Sequence, residues 1–203
     1  MKGPAARTAG FSLIELLVVV AIVGILATLA LPAFNSINSG RTVDQAGRQL
    51  SDQMALARQM ALSKNRSIEV RFMKIKTEPD GLSTYAALQL SEVRDDGSDA
   101  PVGRLVKLPQ RMVISEASDL SSLFNSNAMT KLDTASLPVI PGGAKPDEVR
   151  FFRFKPNGRT DLPNMAGNYY LTVHNDRDIG KTPANFATVQ IDPMSGRLRI
   201  LRP

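Results

Sequence analysis

The sequence contains no cysteine. That excludes a disulfide-stapled scaffold and any site built on thiolates. It has one histidine, His174, and no tryptophan. One imidazole without cysteine argues against a zinc site and against a histidine-based nucleophilic triad. Three tyrosines leave little aromatic surface for stacking bases. There is no phosphate-binding glycine loop and no dinucleotide fingerprint. Nothing in the chain encodes an enzyme, and no cofactor is expected. Internal repeats and low-complexity tracts are also missing. Charge is absent from one long stretch, with none between Glu15 and Arg41.

What is present suits a globular body. Hydrophobic residues make up 43% of the 203 and charged residues 22%, the balance of a chain that folds. The net charge of +6 is spread along the sequence. It permits contact with anionic lipid or nucleic acid without demanding it.

The charge-free stretch belongs to an apolar run from Phe11 to Phe34, in which the polar side chains are Ser12, Glu15, Thr28. As a helix this run spans about 36 Å, more than the roughly 30 Å of a bilayer's hydrocarbon core. Lys2 and Arg7 precede it. The positive-inside bias keeps residues 1–10 in the cytoplasm and sends the rest outward. A plain signal anchor gives Glu15 no role. A secretory signal peptide has a shorter apolar run, and "LALPAFN" is a poor cleavage site because proline stands before the small residue. The third reading is a segment cut before the apolar run, between Gly10 and Phe11.

The stretch "GFSLIELLVVVAIVGILATLALPAF" resembles the signal of type IV pilins and type II secretion pseudopilins. That family has a short basic leader ending in glycine, then phenylalanine, with a glutamate four residues on and a proline further along, where Pro32 falls. The resemblance implies removal of residues 1–10 by a prepilin peptidase that acts at Gly10 and N-methylates Phe11. It also implies assembly with other pilin or pseudopilin subunits into a filament with a core of apolar helices. The chain is then held by the inner membrane as a single pass with its domain outside, before it enters a periplasmic pseudopilus or a surface pilus. A carboxylate in hydrocarbon is tolerable when paired. Glu15 is therefore expected to pair with the new Phe11 ammonium of a neighbouring subunit and to set register. Pro32, lacking an N–H, is expected to kink or loosen the helix.

From residue 35 the chain reads as an extracytoplasmic domain. Val43, Ala46, Leu50, Ala57 and Ala61 recur at helical spacing, with Met54, Leu56 and Met60 widening the stripe, and the helix is expected to end near Lys64. After Asn65 the period becomes two. "SIEVRFMKI", "STYAALQLSEV", "GRLVKLP" with "RMVISE", "EVRFFRFKPNGRT" ending in a turn, "NYYLTVHN" and a final hairpin "ATVQIDPMSGRLRIL" are strand candidates. Asn157-Gly158 is a turn signal. Residues 115–148, rich in Ser, Asn, Pro and Gly, read as a loop-rich insertion with one helical turn near Leu120–Phe124. One long helix followed only by strands predicts an α+β fold, the pilin-like arrangement of a helix on an antiparallel sheet. "LARQMALSKNRSIEVRF", "FFRFKPNGRT" and "SGRLRI" resemble the minor pseudopilin H and FimT-like branch of the family. A narrower likeness is to the pseudopilins called Verru_Chthon cassette protein D.

Two further constellations stand out. Asp95, Asp96 and Asp99 are candidate calcium ligands or a solvated turn. His174 shares strand parity with Tyr170 and Thr172 and is expected at an exposed or rim position. In "SGRLRILRP", Arg197 and Arg199 alternate with Leu198 and Ile200, with Arg202 nearby. Neighbouring guanidiniums grip phosphates, and the FimT-like resemblance implies a Gly-Arg-x-Arg strand that holds DNA. The alternatives are a structural edge strand and a DNA-binding patch.

Overall fold

The structure is a computed structural model of the chain. It describes residues 12–76, 81–125, 128–133, 145–164 and 167–202, without the side chains of residues 29–39 and 125. Two compact units divide it, residues 1–39 and 40–203. One helix, α1 (Leu13–Lys64), belongs to both.

In the first unit Ser12 caps α1. Its hydroxyl accepts the Glu15 N–H at 3.3 Å, and Glu15 Oε2 accepts the Ser12 N–H at 2.9 Å and its hydroxyl at 2.8 Å. This reciprocal pair satisfies two of the donors a helix start leaves open. The side chains described here, residues 12–28, are all exposed.

In the second unit α1 buries one stripe: Val43, Ala46, Leu50, Met54, Ala57 and Ala61. The spacing of three and four residues keeps these on one face. Small residues let the helix come close to the sheet. A Cβ on Gly47 would stand 2.7 Å from that of Ala187. Met60 packs partly against the core, but Leu56 is 43% exposed, so the stripe is narrower there than its sequence indicates. The helix ends at Lys64, and Asn65 turns the chain with φ 54°.

Among the described residues nine strands follow: β1 (Ile68–Lys76), β2 (Ser83–Val93), β3 (Asp99–Lys107), β4 (Met112–Ile114), β5 (Thr130–Leu132), β6 (Glu148–Phe154), β7 (Tyr169–Asn175), β8 (Phe186–Ile191) and β9 (Leu198–Leu201). All described pairings are antiparallel, in the order β5-β6-β1-β2-β4-β7-β8-β9. The far edge of β2 is shared, pairing with β4 at Tyr85 and with β3 from Ala87 onward. The expected α+β order is therefore what the chain adopts. Strand β3 starts earlier than "GRLVKLP" implies, at Asp99.

The expected insertion is a working part of the sheet domain. A short helix, α2 (Ser122–Asn125), presents Leu123 and Phe124 to the core. Phe124 lies 4.3 Å from the Tyr85 ring and meets Phe72 edge-on. The hydroxyls of Ser121 and Ser122 accept the Thr172 and Tyr170 N–H groups, filling the edge of β7 where β4 stops. Beyond it β5 extends the sheet. "TKL" is too short and too polar to have shown as a strand by periodicity.

The face of the sheet away from α1 is also buried around β1. Ile68, Val70 and Phe72 point toward the helix, while Glu69, Arg71 and Met73 point away. Arg71 and Glu69 are each 2% exposed. Arg71 binds Glu69 at 2.6 Å and Asp99 at 2.7 Å, Arg153 closes on Glu69 at 2.8 Å, and Ser91 donates to Asp99 at 3.1 Å. Buried charges persist only when paired and hydrogen-bonded. Beside them Met73, Ile75, Ala87 and Val149 form a small apolar cluster flanked by Leu105 and Leu132.

Removing Arg71 leaves the buried Glu69 carboxylate with Arg153 alone and Asp99 with Ser91 alone, whereas removing Arg66 breaks only more exposed pairs with Glu92 and Asp95. Arg71→Ala is expected to cost about 3–5 kcal/mol of stability and Arg66→Ala under about 1 kcal/mol, as read by denaturant unfolding of the two variants.

Candidate functional site

The residues singled out by sequence fall into three groups. Gly10 and Phe11 lie outside the described residues. Pro32 lies within the bounds of α1, with its side chain outside the described set. Glu15 is the N3 partner of Ser12, and both hydrogen bonds go to Oε2. Its other oxygen has no partner among the described residues. The signal for this capping box was in the sequence, "SLIE", hidden by the apolar run around it.

The helix around Glu15 is apolar on every side. Leu13, Ile14, Leu16, Leu17, Val20 and Ile25 are among its exposed side chains. A surface helix of a globular protein has one apolar stripe; one that is apolar all round is made for burial. Among the described residues no helix is long and apolar enough to cross a membrane. The expected segment 11–34 extends past both ends of the side chains described here.

The C-terminal arginines separate. Strand β9 pairs with β8, Arg199 facing Gln190 and Ile200 facing Val189. Leu198 and Ile200 therefore share the helix side, and Arg197 and Arg199 project from the other face into solvent. Arg202 has the parity of Ile200. It pairs with Asp44 and reaches the Gly40 carbonyl, both on α1. Strand alternation thus corrects the expected three-arginine patch: two arginines share an exposed face and the third ties the C-terminal strand to the helix.

The turns flanking β9 are built on α1. Arg58 donates to the carbonyls of Gly158 and Ser195 at 3.2 and 3.3 Å. Gly196 adopts φ 63°, and a Cβ there would sit 2.1 Å from the Gly158 carbonyl oxygen. "PNG" and "SGR" are therefore two halves of one junction. Thr160 closes it from the side, its N–H and hydroxyl both donating to the Pro193 carbonyl.

The three aspartates considered for calcium are held apart by protein partners. Asp95 pairs with Arg66, and Asp99 with Arg71 and Ser91. The hydroxyl and amide of Ser98 hold the Asp96 carboxyl below the usual carboxylate range. Among the described residues no group of three or more His, Cys, Asp or Glu is placed to hold a metal ion.

His174 is buried, at 2% exposed, rather than on the rim. Its parity was read correctly, but Thr172 and His174 face a surface covered by other chain segments. It lines a groove of about 410 Å³ together with Thr84, Val113 and the segment Asp178–Thr182.

No curated protein matches the chain. Among solved structures it is similar to the minor pseudopilin EpsH of the Vibrio cholerae type II secretion system, at 11% identity over 81% of this chain and 96% of that one, with a TM-score of 0.46. It is also similar to the type IV minor pilin FimU of Pseudomonas aeruginosa, at 14% identity over 84% and 96%, again with a TM-score of 0.46. Likenesses at this level carry no argument about function. Residues 6–31 match the prokaryotic N-terminal methylation motif, and the chain carries that motif across its leader, its Glu15 capping box and most of its apolar run.

Proposed function

We propose that the chain is a minor pilin or pseudopilin subunit, cleaved after Gly10, methylated on Phe11, and assembled with other subunits into a type IV pilus-like or type II secretion filament. The observation that carries this reading is the helix that follows Ser12, apolar on all sides and covered by nothing, within a methylation motif. Such a helix requires lipid or other helices around it. In the inner membrane it is an anchor, with the sheet domain outside. In a filament it is core, packed against its counterparts. Glu15 supplies the register. Ser12 holds one carboxylate oxygen, and the other is available to the Phe11 ammonium of an adjacent subunit. A charge pair in an apolar surrounding is strong when complete and costly when broken, so docking is favoured where the two meet.

A second reading is favoured by the shared exposed face of Arg197 and Arg199. These two guanidiniums are arranged to contact the phosphates of DNA, with Arg202 excluded by its pair with Asp44.

Processing is tested by mass spectrometry of the protein made with a prepilin peptidase. The expected N-terminus is N-methyl-Phe11, and Gly10→Val leaves the precursor uncut because a branched side chain does not fit a site shaped for glycine. A mature N-terminus near Phe34 overturns the reading.

Glu15→Val removes the pairing charge while leaving membrane insertion unharmed, because the substitution makes the run more apolar. Filaments sheared from cells are expected to lack this variant; wild-type levels in them mean that Glu15 does not set register.

For the second reading, the chain should retain duplex DNA at low salt without sequence preference. Arg197→Ala with Arg199→Ala should flatten the salt dependence by about two units of slope. Unchanged binding by the double variant removes these arginines from the contact.

A further inference from the structure

Outside α1, the exposed large apolar side chains of the described sheet domain gather at two places. Leu82 and Ile179 rim the groove that His174 lines; Met194, Ile200 and Leu201 lie on β9 and the turn before it. One place is concave and the other is an edge strand. Their polar groups are opposite in kind.

The groove offers acceptors. His174 Nδ1 lies 2.7 Å from the Asn175 carbonyl oxygen. A carbonyl only accepts, so Nδ1 carries a proton in this contact, and the uncharged tautomer it selects presents a lone pair at Nε2. That nitrogen has no protein partner among the described residues and is not sealed off from the groove. The Thr84 hydroxyl, itself buried behind the lining, has no partner among the described residues. Asp119 and Asp178 add two carboxylates without ion pairs among the described residues, while Glu116 is already held by Lys74. Lys181 is the one cation of the lining. A buried acceptor left open is costly unless something donates to it. The occupant that suits this lining is a hydrogen-bond donor with positive charge and an aliphatic neighbour.

Strand β9 carries that pattern. Arg199 and Leu201 are two residues apart, so they project from the same face, and both are exposed. We propose that the groove is a socket for strand β9 of a second copy of this chain. The Arg199 guanidinium donates to His174 Nε2 and pairs with Asp178, and Leu201 lies against Leu82 and Ile179. The contact joins two different surfaces, so each copy offers one socket and one strand, the arrangement that propagates when it does not close into a ring. It rests on the filament-subunit reading for the setting in which copies meet, but its chemistry is independent of α1's apolar half.

The natural chain has no cysteine, so introduced thiols report single contacts. Full-length, nuclease-treated Leu82→Cys protein is mixed in detergent with full-length Leu201→Cys protein and a short bismaleimide. The expected result is a mixed dimer that forms faster than in the control pair Leu56→Cys with Leu201→Cys. Adding Arg199→Glu to the strand partner lowers the yield about tenfold or more by setting like charges together. Adding Asp178→Lys to the socket partner then restores it. Both charge changes are at surface positions, so a folding defect does not mimic the rescue. A mixed pair no faster than the control, or one indifferent to Arg199→Glu, overturns the socket. If the cross-link forms but Phe11 is never methylated, the filament reading falls and the socket stands. If processing and filament incorporation hold without the cross-link, the socket alone is lost.

Discussion

The sheet domain depends on how near α1 comes to it. Ala46, Gly47, Ala57 and Ala61 keep the buried face of the helix thin, and at Gly47 there is no room even for a methyl group against Ala187. Leu50 and Met54 fill the space between these shallow positions. Close-packed interiors transmit small changes in volume, so the strands under the helix are placed by this contact. The consequences reach both ends of the stripe. Near Gly40 the approach lets Arg202 reach Asp44, and near Arg58 it brings the helix within hydrogen-bonding distance of two turns.

A single helix does not cover nine strands, and the remainder of the molecule is occupied with that shortage. On the helix side, Phe124 from the loop-rich segment completes the core beside Tyr85 and Phe72. On the other side, β1 buries two charged residues and satisfies them with Asp99, Arg153 and Ser91. Such networks contribute specificity more readily than stability. Here the network fixes the first residue of β3 against β1, across a strand that separates them in the sheet.

Much of this was legible in the sequence, and the gaps have physical reasons. The stripe Val43–Ala61, the end of α1 near Lys64, and the presence of β2, β6 and β7 followed from periodicity, because each carries a sustained apolar pattern. β5 did not, because three residues on an edge, two of them polar, carry no period. His174 was misplaced because alternation tells which face a residue occupies and not whether that face is covered. The acid–base network around Arg71 was missed for a similar reason: "EVR" reads as an outward-facing polar pair, and its periodicity does not show that Asp99 and Arg153 of other strands in the sheet close on it. Arg202 was grouped with Arg197 and Arg199 by nearness in sequence, although its parity already set it on the other side. For the N-terminal site the sequence carried the motif and the charge, and the structure added the Ser12 hydroxyl that orients the carboxylate.

The Arg58 junction has a bearing on how the chain reaches this form. Its two carbonyl partners lie 100 and 137 residues downstream, and Ala187 is more remote still from Gly47, against which it packs. Contacts this distant slow folding, since a long loop must close before they give anything back. The helix is made first, and β8, which packs against it at Gly47, is among the last strands made. During synthesis that part of the apolar stripe remains open until β8 has emerged.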